Sequence, residues 1–183
     1  MRHRDRPLTE LRRTDRRVED EAFLEERLAS AAFGVLAMAD GNQPVVNVNL
    51  FAYDPDRRAI YLHTAATGRT RETVEANPKV AFTVAEMGRL LPADEAVEFS
   101  VEYASVVVFG TATVVRGEEA RHGLQLLLDR YAPHLEPGRD YRGITEDELE
   151  RTAVYRVGIE AWSGKRKAAE QDFPGAFTFG ETA

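Results

Sequence analysis

The apolar and polar positions of this chain change period several times, and each change marks an element. Phe23, Leu24, Leu28 and Ala31 recur at three- and four-residue spacing behind a run of acids, which predicts a helix over residues 19–31. The period then shortens. Phe33–Ala39 is a brief apolar run that ends in Asp40-Gly41-Asn42, a hairpin-turn sequence. Gln43–Tyr53 alternates Val46, Val48 and Leu50 with Asn47, Asn49 and Phe51, so it reads as one strand. Asp54-Pro55-Asp56-Arg57 is a second turn, and Arg58–Thr64 a third strand.

Thr67-Gly68-Arg69-Thr70 opens a short helix that runs to Asn77, and Pro78 starts a strand through Ala85. Residues 86–97 read as a loop with acids at Asp94 and Glu95. Ala104–Arg116 is a long β-branched strand interrupted by Gly110. Leu124, Leu127, Leu128 and Tyr131 share one face of a helix over Glu118–Tyr131. A helical turn at Glu146–Arg151 and a last strand at Thr152–Trp162 complete the series, and the chain from Gly164 reads as a loose tail. Tight turns between the early strands demand antiparallel pairing. About six strands with few helices give a mainly β fold, a small barrel with peripheral helices.

Length fits one domain. We divide the chain into an Arg-rich arm (1–17), a folded domain (18–167) and a C-terminal tail (168–183). Membrane insertion is not expected, because the longest apolar runs fall far short of the about 20 residues a spanning helix needs. The opening Met-Arg-His-Arg-Asp-Arg has no apolar segment behind it, so a cytoplasmic protein is expected. Charge alters the picture further. The net value is −7, but residues 1–17 hold seven Arg against Asp5, Glu10 and Asp15, which leaves the rest at −11. That balance argues against a nucleic-acid partner. There are no cysteines, which excludes disulfides, thiol catalysis and cysteine-bound metals. The four His, at 3, 63, 122 and 134, lack metal-ligand spacing, so no metal site is expected. Redox chemistry, if present, has to come from a bound cofactor.

Four segments carry candidate chemistry. In Tyr61–Thr70 a strand ends in His63-Thr64, passes through the small-residue loop Ala65–Gly68 and enters a helix at Arg69-Thr70. Backbone N–H groups at a helix start attract an anion, and an Arg there can grip a phosphate; the alternative is an ordinary cap by Thr67 with a surface Arg. In Val45–Phe51, Asn47 and Asn49 share one strand face, where a flat polar ligand would satisfy their amides, unless that face is simply solvated. In Ser105–Ala112, Gly110 suggests a bulge or a close backbone approach inside a core strand. In Ile159–Arg166, the single Trp162 is followed by Gly164, Lys165 and Arg166, either a ligand rim or an anchored surface ring.

In this order, these segments resemble the FMN-binding split-barrel family, which includes pyridoxamine 5′-phosphate oxidases and nitroimidazole-resistance-type flavoproteins. The resemblance covers roughly residues 8–167 and is nearest the latter branch. It implies a six-stranded antiparallel split β-barrel that binds FMN at the interface of a homodimer. By position it places Val46, Asn47, Val48 and Asn49 along the flavin ring, and His63, Thr64 and Ala65 against ring and ribityl phosphate. Gly68, Arg69 and Thr70 would hold the phosphate, with help from Lys165. Ser105, Val106 and Trp162 would come from the second subunit. Thr70 replaces a usual cation. Val46 and Phe51 stand where the pyridoxamine oxidases carry Arg and Lys, and their C-terminal Arg-Leu-x-x-Arg is missing, which argues against vitamin B6 oxidation. The resemblance thus implies a flavin-dependent oxidoreductase acting on a small molecule, nitroaromatic reduction being one candidate, with NAD(P)H as a candidate reductant and His63 as the candidate catalytic residue. Two alternatives remain open: a flavin-binding sensor, carrier or store without turnover, and a split barrel that uses F420 or haem.

Overall fold

A computed structural model describes residues 6–180. β1 (Arg17–Val18) precedes α1 (Glu21–Ser30), whose first turn is capped by the Asp20 carboxylate accepting from Ala22 N–H. β2 (Gly34–Asp40) and β3 (Gln43–Asn49) form a hairpin across Gly41 and Asn42, and Gly41 takes the left-handed conformation (φ 57°) that such a tight turn requires. β4 (Phe51–Asp54), β5 (Ala59–Ala65), α2 (Arg69–Ala76), β6 (Lys79–Leu91), β7 (Ser100–Val115), α3 (Gly117–Tyr131), α4 (Glu146–Glu150) and β8 (Thr152–Lys167) follow. All strand pairs are antiparallel, in the order β3-β2-β6-β7-β8-β5-β4, with β1 on β8.

β3 and β4 stand at opposite ends of that order, yet Leu50 alone joins them. The sheet therefore curls until its edges meet at this residue. Asn49 Nδ2 donates across the seam to the His63 carbonyl of β5 (2.7 Å). The enclosed core holds Leu36, Phe51, Ile60, Leu62, Phe82, Val106, Val108, Tyr155 and Val157, all fully buried. Each large apolar side chain so buried contributes about 1.5–3 kcal/mol. Phe51 meets Phe82 edge-on, with ring centroids 4.8 Å apart.

The mainly β barrel with peripheral helices stands as expected, and all four helices are present. The strand count differs, eight for the expected six. The Gln43–Tyr53 strand is split at Leu50, where the chain changes sheet edge, and β1 adds a short strand from the Arg-rich arm. Residues 86–91, read as loop, continue β6 past an irregularity at Met87–Leu90, because β7 runs alongside and supplies ladder partners. β8 likewise runs past Trp162 to Lys167, opposite β7 as far as Tyr103. The tail is not loose at its start. Arg89 donates to the carbonyls of Glu170 (2.9 Å) and Gln171 (2.7 Å), Ala169 N–H donates to Glu102 (2.8 Å), and Leu90 pairs with Phe177.

Gly110 is both things the sequence suggested. The β7–β8 register slips between Phe109 and Gly110, and a Cβ on Gly110 would lie 2.1 Å from the Gly158 carbonyl oxygen. No described helix is long and apolar enough to cross a membrane.

Candidate functional site

β5 ends at the open edge of the barrel, and there the chain turns into α2. The helix N-cap is Gly68 (φ 130°), which offers no side chain to the first turn, and a Cβ built on it meets nothing within 4 Å. Thr67 does not cap the helix. No side chain therefore caps the N–H groups of the first turn. Arg69 is exposed beside them and forms no ion pair among the described residues. Arg71, by contrast, is engaged by Glu75 (2.8 Å) and the Ala66 carbonyl (2.7 Å), and so braces the loop that delivers the helix start.

Asn47 Nδ2 donates to Thr70 Oγ1 (2.8 Å). With an oxygen lone pair so occupied, the hydroxyl proton of Thr70 is free to point at an anion. This corrects one expectation: the amides of Asn47 and Asn49 find partners within the chain, Thr70 and the His63 carbonyl, without a ligand. Thr64 Oγ1 is tied to the buried Tyr155 hydroxyl (3.0 Å), and burial raises the pKa of that phenol. Ala65 pairs with Thr152 at the end of the ladder and stays exposed.

His63 is exposed at its outer edge, but surrounding protein strips water from the ring and holds its pKa below the ordinary 6.5, with no hydrogen bond or charge contributing. At neutral pH the imidazole is uncharged. Beside it lies a cavity of about 410 Å³ walled by Leu50, Leu124, Leu127, Leu128 and Tyr131. The Tyr131 hydroxyl donates to the carbonyl of Ala32 (2.8 Å) or Phe51 (3.1 Å) and accepts from Phe51 N–H (3.2 Å), which pins the end of α3 to the seam.

The remaining expected residues sit elsewhere. Val46 and Val48 point outward from β3, 66% and 62% exposed. Ser105 pairs with Lys165 and Val106 with Gly164 on the far stretch of β7 and β8. Val106 is fully buried in the core, backbone included, and its carbonyl accepts from the Thr83 hydroxyl (2.9 Å). Trp162 packs between Tyr53, with centroids 6.4 Å apart, and the Arg58 guanidinium, 4.4 Å above the ring. From Ala153, beside Thr64, to Lys165 is roughly 40 Å of extended strand. One chain therefore does not bring Lys165 to Arg69; it presents two separate clusters.

The family described as pyridoxamine 5′-phosphate oxidase matches residues 20–166, which span both clusters. The chain belongs to this family. Solved structures with the same fold include a flavocytochrome, Anf3, from Azotobacter vinelandii (22% identity, 88% of this chain and 74% of that one, TM-score 0.76). A FAD- and haem-binding protein from Mycobacterium smegmatis is similar (22%, 84% and 74%, TM-score 0.75). So is a candidate 5-nitroimidazole antibiotic resistance protein from Bacteroides thetaiotaomicron (20%, 82% and 86%, TM-score 0.69). No curated protein matches the chain in sequence.

Sequence reasoning missed Tyr131, Tyr155 and the leucines of α3 as parts of the site. The only signal of Tyr131 and the leucines was a shared apolar helix face, and a cavity wall has the same pattern as a packing face; Tyr155 is one residue of the last strand's apolar run.

Proposed function

We propose that this family member binds FMN as a homodimer and acts as a flavin-dependent oxidoreductase on a small molecule, with NAD(P)H as reductant. The observation that carries the reading is the start of α2. Its N–H groups have no side-chain cap, Arg69 forms no ion pair among the described residues and the Thr70 hydroxyl is aimed by Asn47, in a chain whose body is acidic. These groups suit a phosphate and nothing else nearby uses them. The site fits FMN without the cation that Thr70 replaces, because the helix start and one free guanidinium remain.

FMN would supply the redox centre that a cysteine-free chain lacks. The protein's own groups bind and orient. Arg69 and the α2 N–H groups hold charge, Asn47 fixes Thr70, and Asn49 fixes the strand end that carries His63. The neutral imidazole of His63 can donate or accept one hydrogen bond at the mouth of the cavity. The exposed Val46–Val48 face supports a second copy of the chain, and so does the distance between the clusters, since a partner's Ser105–Trp162 stretch would complete what one chain leaves open.

The test is the visible spectrum of the purified protein, with mass analysis of any released chromophore. Release of FMN supports the reading; FAD or haem, which similar folds hold, would redirect it. A colourless protein that takes up no FMN overturns it. Bleaching on anaerobic mixing with NAD(P)H separates an enzyme from a flavin-binding module without turnover.

A further inference from the structure

The cavity beside His63 has a character of its own. Its walls are leucines from two sources, Leu50 of the barrel seam and Leu124, Leu127 and Leu128 of α3. The polar groups on its rim are already engaged. Arg142 donates to Glu148 (3.0 Å), and Glu148 is itself held by the Thr145 N–H (2.8 Å) in the capping box of α4. The Tyr141 hydroxyl accepts from Gln125 (3.1 Å), and the Tyr131 hydroxyl is engaged by backbone. What remains unengaged is the imidazole of His63, uncharged at neutral pH.

We propose that this cavity is the compartment for the second reactant, and that it selects an uncharged, mostly apolar ring compound with one hydrogen-bonding group directed at His63. A carboxylate or phosphate moved from water into this lining would find no unpaired cation, and its lost hydration would go uncompensated. An apolar ring instead gains contact with four leucines, and the volume of about 410 Å³ lies in the range of pockets that enclose small organic molecules. The compartment thus discriminates against phosphorylated substrates of the kind that gives the family its name. Its role as a substrate compartment rests on the flavin reading; its selectivity for neutral apolar ligands does not.

The experiment is fluorescence titration of the purified protein with 1-aminoanthracene, a neutral apolar probe, followed by displacement. 1-Naphthol is expected to displace it at concentrations at least tenfold lower than 1-naphthoate or pyridoxine phosphate. Leu50→Trp, which fills the cavity from its exposed side, is expected to weaken probe binding at least fivefold while flavin uptake is unchanged. If that variant does not fold, Leu128→Ala is read in its place, with an expected loss of at least threefold. Equal displacement by the charged compounds overturns the proposal. So does probe binding that survives the cavity variants and disappears in Val46→Ser/Val48→Ser, because the probe then sits on the outer face of β3. Flavin uptake without probe binding refutes the compartment and leaves the flavin reading standing. Selective probe binding in a protein that takes up no flavin removes the flavin reading, and with it the role of second-reactant compartment, and leaves the selectivity standing.

Discussion

The two clusters of this barrel treat their polar groups in opposite ways. Among the described residues, the start of α2 at the end of β5 is left uncapped, Arg69 forms no ion pair and His63 has no hydrogen-bonding partner for its ring. At the far end of β7 and β8 part of the surface leans on its own chain, while the Lys165 and Ser105 side chains have no hydrogen-bonding or ionic partner among the described residues. Trp162 lies between Tyr53 and Arg58, and Lys167 donates to Ser100. An unengaged polar group on an ordered surface marks where a ligand or a second copy can engage it. The first cluster therefore reads as the receiving side for a phosphate, and the second as a braced aromatic rim that leaves Lys165 and Ser105 for a ligand held by a second copy.

Substitutions can break this contrast, and the largest effect is expected between the two clusters. Gly110→Ala puts a methyl group into the Gly158 carbonyl at the bulge that sets the register of β8 beyond it. It should destabilise the fold by about 3 kcal/mol, read as a lowered midpoint in urea; an unchanged midpoint would mean that the bulge can move. Next comes Arg69→Ala, expected to weaken FMN binding by about 1.5–3 kcal/mol. Lys165→Ala, measured alongside by flavin titration, should cost less than half of that. No loss at all in Lys165→Ala would show that the second cluster of a partner does not reach the phosphate held at Arg69.

Smaller effects sharpen the picture. Asn47→Ala frees Thr70 Oγ1 and should lower stability by about 0.5–1.5 kcal/mol, with a matching loss of flavin affinity; a stability loss alone would make Asn47 a brace and nothing more. The smallest effect is a pH dependence. His63 in the folded state has a pKa below its unfolded value of 6.5, so the unfolded chain takes up the proton first as pH falls. Stability from this group is complete above 6.5 and declines below it until the folded pKa is reached. His63→Gln should lose less stability than the parent between pH 7.5 and 5. Parallel curves for the two proteins would remove the argument that the ring is dehydrated.

Much of this was legible locally. Asp40-Gly41-Asn42 gave its hairpin, Gly110 its bulge, and the helix start at Gly68–Thr70 its place beside His63, because turns, bulges and caps are properties of a few adjacent residues. What stayed hidden depends on partners far along the chain. Glu86–Arg89 is too polar to look like a strand, yet β7 pairs with Glu86 and Met87 and, past the irregularity, with Leu90 and Leu91. Lys165–Lys167 looks like a tail, yet it completes β8. Nothing in Asn49-Leu50-Phe51 announces that the chain leaves one edge of the sheet and joins the other. The cavity was the least legible part, being built from Leu50, His63, α3 and the segment before α4, which meet only when the barrel is closed.

That single-residue seam has a consequence for how the molecule is made. The β2–β3 and β4–β5 hairpins need only neighbouring residues and can form early, whereas the pairing of His63 with Val154 must wait for most of the chain. Because β3 and β4 are covalently joined, the two hairpins start side by side and end as opposite rims of one wall. The docking of β8 between β5 and β7 is expected as the last event of folding, and the cavity and the α2 cradle come into being at that same moment. A nascent or partly opened chain would have most of its strands and no site at all.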